Sequence, residues 1–231
     1  MLRNWDDLPE FMKSDEVRAY YDVLSKKRIS LFLKRVFDVV VAVILLILFA
    51  IPMLIIGFMI KADSKGTVFY RQERVTVYGK KFKIHKFRTM VNDADKIGTA
   101  VTVGGDARIT KVGAKIRNLR IDEIPQLLDV LSGNMSFVGT RPEATKYVEK
   151  YSKEMFATLL LPAGITSEAS IRYKDEAELL DVADDVDRVY VEAVLPRKME
   201  YNLEAIKKFS FFGEIATMFR TVLVVLGRTY E

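Results

Sequence analysis

The longest apolar run in the chain, VVVAVILLILFAIPMLIIGFMI from Val39 to Ile60, passes 22 residues without a charge. At about 1.5 Å per residue a helix of that length covers the roughly 30 Å hydrocarbon layer of a bilayer, so the pattern predicts a membrane helix. Pro52 falls inside the run, where its missing N–H and its ring predict a kink between a longer and a shorter arm. Basic residues flank both ends, Lys26, Lys27, Arg28, Lys34 and Arg35 before the run and Lys61 and Lys65 after it. Orientation by positive charge asks for one basic flank. Two readings therefore fit: a re-entrant helix broken at Pro52 with both ends in the cytoplasm, or a single-span anchor with a tolerated proline. Asp38, beside Lys34 and Arg35, reads as an interfacial residue and leans toward the first. The run follows a charged stretch and is too long for the apolar region of a removed signal peptide.

Elsewhere the pattern is that of a small polar domain. Residues 1–30 predict an accessory helix, with Phe11, Val17, Tyr20, Tyr21 and Val23 as a weak amphipathic pattern. Two stretches rich in β-branched and aromatic residues, Thr67–Tyr78 and Lys81–Arg88, predict a hairpin turning at Gly79-Lys80. Gly98–Asp106 reads as a glycine-containing polar loop. Thr110–Arg120 predicts a short basic helix with Val112, Ile116 and Leu119 on one side, suited either to an anionic lipid surface or to plain solvation. Asp122–Leu131, DEIPQLLDVL, predicts a helix with acids and Pro125 in its first turn, ended by Gly133. The acidic stretch Glu176–Asp187 reads as a solvated helix face. Phe209–Gly227 is apolar enough for a core or an interface, but Glu214 and Arg220 argue against crossing.

Composition narrows the chemistry. There is no cysteine, which removes disulfides, zinc–thiolate sites and thiol nucleophiles, and a single histidine, His85, which removes any His-rich metal site. Acids, bases and nucleophiles therefore fall to carboxylates. Lys and Arg number 36 against 31 Asp and Glu, a net charge of +5 that favours anionic partners only weakly. Nucleic-acid binding has neither aromatic platforms nor a motif to support it.

Two constellations could act on phosphate. Adjacent Asp122 and Glu123 follow Arg117 and Arg120, and Thr140-Arg141-Pro142 lies 18 residues on. Carboxylates there could hold Mg²⁺ or attack phosphorus; equally, acids belong in any first helical turn, where the dipole favours them by about 0.3 to 1 kcal/mol. In KFKIHKFRTM (Lys81–Met90), Lys86 and Arg88 alternate onto one strand face, a fit to a diphosphate or simply an edge strand guarded by lysine. His85 points the other way and reads as structural.

Taken together, KRVFDVVVAVILLILFAIP (Lys34–Pro52), VFYRQERV (Val68–Val75), FKIHKFRTM (Phe82–Met90), the segment Asp106–Gly139 and TRPE (Thr140–Glu143) resemble the small monotopic polyprenyl-phosphate phosphoglycosyl transferases, bacterial sugar transferases that begin exopolysaccharide, capsule and glycoprotein glycan assembly. The resemblance is continuous over about residues 30 to 145. It implies an α+β, mainly helical fold with a small β-hairpin, one Pro-kinked re-entrant membrane helix and interfacial amphipathic helices, on the cytoplasmic face of the bacterial inner membrane. It implies a Mg²⁺-dependent ping-pong reaction in which Asp122 attacks the β-phosphate of a UDP-sugar, releases UMP and passes the phosphosugar to polyprenyl phosphate. Glu123 assists metal binding or proton handling, with Asp122 and Glu123 as the metal residues. Lys86, Arg117 and Arg141 match phosphate- or nucleotide-binding positions, and Arg88 shares the strand motif.

The expected division is residues 1–30 as accessory helix, 31–61 as re-entrant helix, 62–180 as catalytic domain and 181–231 as C-terminal helices. Expected partners are a UDP-sugar, polyprenyl phosphate, membrane lipids and, as an open option, a second copy of the chain in a homo-oligomer. Three positions depart from the family pattern: Ile51 replaces the usual Ser before the membrane proline, Thr140 replaces the first proline of Pro-Arg-Pro, and Leu161–Glu168 loses the arginine and glycine pair of a segment tied to nucleotide recognition. Which sugar is moved does not carry over. The competing reading is a membrane-anchored, non-catalytic binding or regulatory module, which UMP release that needs Mg²⁺ and is lost in Asp122→Asn separates from the enzyme.

Overall fold

The computed structural model describes residues 2–92, 94, 106–173, 179 and 185–225. The elements are α1 (Asp15–Ser25), α2 (Arg28–Asp63), β1 (Phe69–Val75), β2 (Lys81–Phe87), α3 (Lys111–Asn118), α4 (Leu127–Leu131), β3 (Met135–Val138), α5 (Thr145–Val148), β4 (Ala163–Thr166), α6 (Glu168–Arg172), α7 (Val186–Val189), α8 (Leu195–Lys207) and α9 (Phe211–Val225). The fold is mainly helical with a small antiparallel pair. The glycine loop predicted at 98–106 lies outside the described residues apart from Asp106, as does most of the acidic stretch 176–187.

The apolar run forms one helix, α2, that begins at Arg28 and continues through Pro52 to Asp63. Leu31, Lys34, Asp38, Ala42, Gly57 and Ile60 are buried along it, and Leu45, Phe49, Met53 and Ile56 pack in the gaps, so steps of three and four trace one face resting on the polar domain. The opposite face is bare and apolar, with Ile47, Ile51, Leu54 and Phe58 each at least 70% exposed. Only 6% of the most apolar window of α2 is buried. A core helix of a water-soluble domain would hide such a stripe.

Asp38 is not the exposed interfacial charge that the sequence suggests. Lys34 and Asp38 are buried. Lys34 Nζ donates to the Val138 carbonyl at 2.7 Å and pairs with Glu214 of α9, and Asp38 Oδ1 accepts from the Phe137 amide at 3.2 Å. Arg35 donates to the Val130 and Leu131 carbonyls at 2.7 and 3.0 Å, satisfying the open end of α4. These residues hold the helix to the domain through the carbonyls and amides that short α4 and β3 leave unpaired.

Residues before α2 are also part of the core. Ser14 caps α1 by accepting from the Val17 amide, and Val17, Tyr20, Tyr21 and Leu24 bury one face against Leu159, Leu160, Leu203, Ile206 and Phe209. The amphipathic pattern is firmer than predicted: Leu24 is fully buried while Phe11 is 47% exposed.

Strands β1 and β2 form the predicted hairpin, pairing Phe69 with Phe87 through Val75 with Lys81. Its turn is wider than Gly79-Lys80 alone, a 3-10 turn over Val77–Gly79 with Tyr78 and Gly79 at positive φ. The pattern gave no warning of the parallel pair β3–β4, in register from Met135 with Ala163 to Val138 with Thr166. Each strand has four residues and β3 is buried on both faces, so neither shows the alternation that marks a half-exposed strand. Gly139 and Gly164 let the chains touch where the pair ends: a Cβ on Gly164 would lie 2.2 Å from the Gly139 nitrogen.

The predicted helix over 122–131 divides into a 3-10 turn, Ile121–Gln126, and the short α4. In α3, Ile116 is buried and Val112 packs beside it, whereas Leu119 lies past the helix end and is 68% exposed. The chain from α7 passes through a π turn, Tyr190–Val194, into α8. In α9, Phe212, Phe219 and Val222 are exposed while Glu214 turns inward to Lys34.

Candidate active site

Three segments meet at one carboxylate. Along β2, Phe82 and Ile84 face the core, and Lys86, two residues further on the same face, reaches Glu123. Asp122 and Glu123 project from the 3-10 turn that follows Arg120, itself at φ 53°. Arg141 leaves the carboxyl end of β3 just past the close contact of Gly139 with β4. Lys86 Nζ lies 2.8 Å from Glu123 Oε1, and Arg141 binds both Glu123 oxygens, Nη1 at 3.3 Å from Oε2 and Nη2 on Oε1. Arg141 Nη1 also donates to the Ile165 carbonyl at 3.4 Å, tying the site to β4.

This arrangement drives the two neighbouring acids apart. Burial pushes the Glu123 carboxyl up, yet the charges of Arg141 and Lys86 override it and hold Glu123 well below the usual carboxylate range. Burial and the adjacent Glu123 charge raise Asp122 above its ordinary value, against a smaller opposing pull from Lys86 and Arg117. The Lys86 ammonium is lowered by burial, partly offset by Glu123, and Arg141 is raised by Glu123. Glu123 is thus a fixed anion in a cationic clamp, and Asp122 is the more basic carboxylate beside it. Unequal neighbouring acids of this kind are a frequent mark of acid–base or nucleophilic sites.

The structure therefore gathers Asp122, Glu123, Lys86 and Arg141, and places Arg117, on the last turn of α3, within electrostatic reach of Asp122. It does not bring Arg88 there. Strand β2 ends at Phe87, and the buried Arg88 guanidinium closes the end of α2, donating to the Ser64 and Lys65 carbonyls at 2.7 Å each and to Asn92 Oδ1 at 2.9 Å. Arg88 anchors the end of α2. His85 is structural, as its place on the strand predicts: its backbone amide and Nδ1 each lie 2.8 Å from an oxygen of buried Asp129.

Sequence reasoning missed two supports. Asp129 fixes β2 against the segment carrying the acidic pair. Glu143, the last residue of TRPE, is buried, accepts from the Tyr190 hydroxyl at 2.7 Å and adds to the negative field around Arg141. Both lie inside segments recognisable in the sequence, where only the fold names their partners. Among the described residues, no group of three or more His, Asp or Glu side chains gathers that could hold a metal ion.

The chain belongs to the bacterial sugar transferase family, whose sequence model matches residues 29–228. Among relatives, the chain is 36% identical over 199 residues to the UDP-N-acetylgalactosamine-undecaprenyl-phosphate N-acetylgalactosaminephosphotransferase of Aeromonas hydrophila, covering 84% of this chain and 44% of that protein. It is 35% identical over 195 residues to the UDP-glucose:undecaprenyl-phosphate glucose-1-phosphate transferase of Escherichia coli (strain K12), 82% of this chain and 39% of the relative. It thus spans less than half the length of both. It is 31% identical over 196 residues to a Bacillus subtilis protein named uncharacterized sugar transferase EpsL, covering 85% of this chain and 88% of that one.

Proposed function

We propose that the protein transfers a sugar 1-phosphate from a UDP-sugar to polyprenyl phosphate, the first membrane step of exopolysaccharide, capsule or glycoconjugate synthesis, at the cytoplasmic face of the bacterial inner membrane. The observation that carries this reading is the pairing of a half-buried, relatively basic Asp122 with a Glu123 held ionised by Lys86 and Arg141.

In the first half-reaction an Asp122 carboxylate oxygen bonds to the β-phosphorus, and the bond from that phosphorus to the bridging oxygen breaks. The electron pair leaves with UMP, and an aspartyl phosphosugar remains. In the second, a phosphate oxygen of polyprenyl phosphate bonds to the same phosphorus and displaces Asp122, giving polyprenyl diphosphate sugar and the free carboxylate. Lys86, Arg117 and Arg141 balance the charge of the incoming diphosphate. The Glu123 charge, held ionised by Arg141 and Lys86, keeps Asp122 basic against the smaller opposing pull of Lys86 itself.

Mg²⁺ would be held by Asp122 with substrate phosphates and by Glu123, whose two oxygens are here bound by Lys86 and Arg141, so its share requires those cations to turn to the diphosphate. When bound, the ion supplies charge neutralisation at the diphosphate. On the membrane side, the docking of both ends of α2 on one polar domain supports a re-entrant, monotopic helix with its bare face in lipid, and the exposed Phe212 and Phe219 of α9 support an interfacial helix. Residues 62–180 then form the catalytic domain, flanked by the accessory segment and the C-terminal helices.

The test is UMP release across a panel of UDP-sugars with Mg²⁺ present and removed, for the native chain and Asp122→Asn. Release that needs Mg²⁺ and falls by at least about 10⁴-fold in the variant is expected; turnover that survives the substitution would sink the mechanism.

A further inference from the structure

A cavity of about 290 Å³ lies where β3 and β4 end, walled by α6, α8 and the first half of α9, and no step above uses it. The carboxyl ends of parallel strands are where α/β sheets commonly receive ligands. The volume equals roughly ten waters, enough for one sugar ring or one nucleoside base.

The charged lining is balanced. Arg220 pairs with Glu168, while Arg172 and Lys208 both pair with Glu204, at 3.2 and 2.6 Å. Glu214 is answered by Lys34. Such a lining offers no surplus charge to a phosphate or an ammonium group. It does offer hydrogen bonding. Asn202 is 5% exposed and lines the cavity, and among the described residues its carboxamide has no hydrogen-bond partner. Its polar atoms are not sealed from solvent and so face the cavity, where a ligand supplying both a donor and an acceptor would pair with them.

The cavity is linked to the phosphate site along the chain at two points. Thr140 lines it, and the next residue, Arg141, clamps Glu123. Ser167 lines it two residues after Ile165, whose carbonyl accepts from Arg141. Resting on the donor assignment made above, we propose that this cavity receives an uncharged, hydrogen-bonding ring of the nucleotide-sugar, with Asn202 as its reader, while the diphosphate lies among Lys86, Arg117 and Arg141. That ring chemistry belongs to both the nucleoside and the sugar of the donor.

Calorimetric titration of the full chain in detergent tests this, with UMP and with a turned-over UDP-sugar as probes, in an Asp122→Asn background that prevents turnover. Asn202→Leu removes the carboxamide at similar volume, and Ala205→Phe puts a ring into the same space. Because the amide has no partner to lose, Asn202→Leu is expected to keep the parent melting temperature, while donor binding falls about tenfold or more. Equal weakening of UMP and UDP-sugar assigns the cavity to the nucleoside, and weakening of UDP-sugar alone assigns it to the sugar. Parental affinity for both probes in both folded variants overturns the proposal. A parent that binds neither probe overturns the donor assignment itself, a separate and visible failure.

Discussion

Glu123 and Arg141 meet through both carboxylate oxygens, although 18 residues separate them in the chain, and Lys86 reaches the same carboxylate from a third segment. Glu123→Gln keeps the shape and removes the charge. Its charge is the second cause, after burial, of the raised Asp122 pKa, so the acid limb of kcat/KM for UMP release is expected to move to lower pH. A pH–rate profile checks the direction; a limb that stays in place would remove the coupling between the two acids.

Stability gives the same pair an opposite sign. The folded Glu123 pKa lies below its ordinary value of 4.5, so its contribution is present above that pH and is lost as pH falls through the folded value. Arg141 is more than a third exposed, so screening reduces the effect to about 1 to 2 kcal/mol. The gap in unfolding free energy between the native chain and Glu123→Gln is expected to be widest above pH 4.5 and to narrow below it, as denaturant titrations at several pH values would record.

The long apolar helix and the hairpin were legible because their signals are local, a long uncharged run and two strand-like stretches. So was the grouping of Asp122, Glu123, Lys86 and Arg141, each of which lies in a recognisable segment. Partners were not legible. Asp38 looks like an interfacial charge until β3 supplies the amide it binds, and Arg88 looks like a twin of Lys86 until the strand stops one residue earlier. The parallel β3–β4 pair was hidden because four buried residues carry no period.

Asp129 joins the strand carrying Lys86 to the turn carrying the acids. Asp129→Ala leaves the His85 amide without its acceptor, a cost of about 1 to 3 kcal/mol in unfolding free energy. Because Lys86 is the next residue, kcat is expected to fall, with Asp129→Asn recovering part of it by restoring an acceptor. Loss of stability with unchanged kcat would make Asp129 a structural residue alone.

Lys34 holds α2 to the domain by way of Glu214. Lys34→Met leaves that carboxylate buried without its cation, which costs about 3 to 5 kcal/mol for well-buried pairs. Burial already raises the Glu214 pKa, and losing Lys34 raises it further. The penalty is therefore expected to be largest at alkaline pH and to shrink as acidification neutralises Glu214, which melting temperatures across pH would reveal. A pH-independent penalty would mean that packing, and not the charge, holds the helix.

The two anchors of α2 make the sharpest prediction about topology. Lys34 and Arg35 bind α4 and β3 at one end, and Arg88 closes Ser64 and Lys65 at the other, so both ends belong to one polar body. A spanning helix would have to carry one of those ends, with its buried charges, across the hydrocarbon layer, where each ionised side chain costs about 3 kcal/mol or more. The chain has no cysteine, so single cysteines placed just before Lys34 and just after Lys61 give clean reporters. Both are expected to react with a membrane-impermeant maleimide in inside-out vesicles and neither in intact cells. Labels appearing on opposite faces would show that α2 crosses the membrane, and would force the contacts of Arg88 with its far end to be broken in the bilayer.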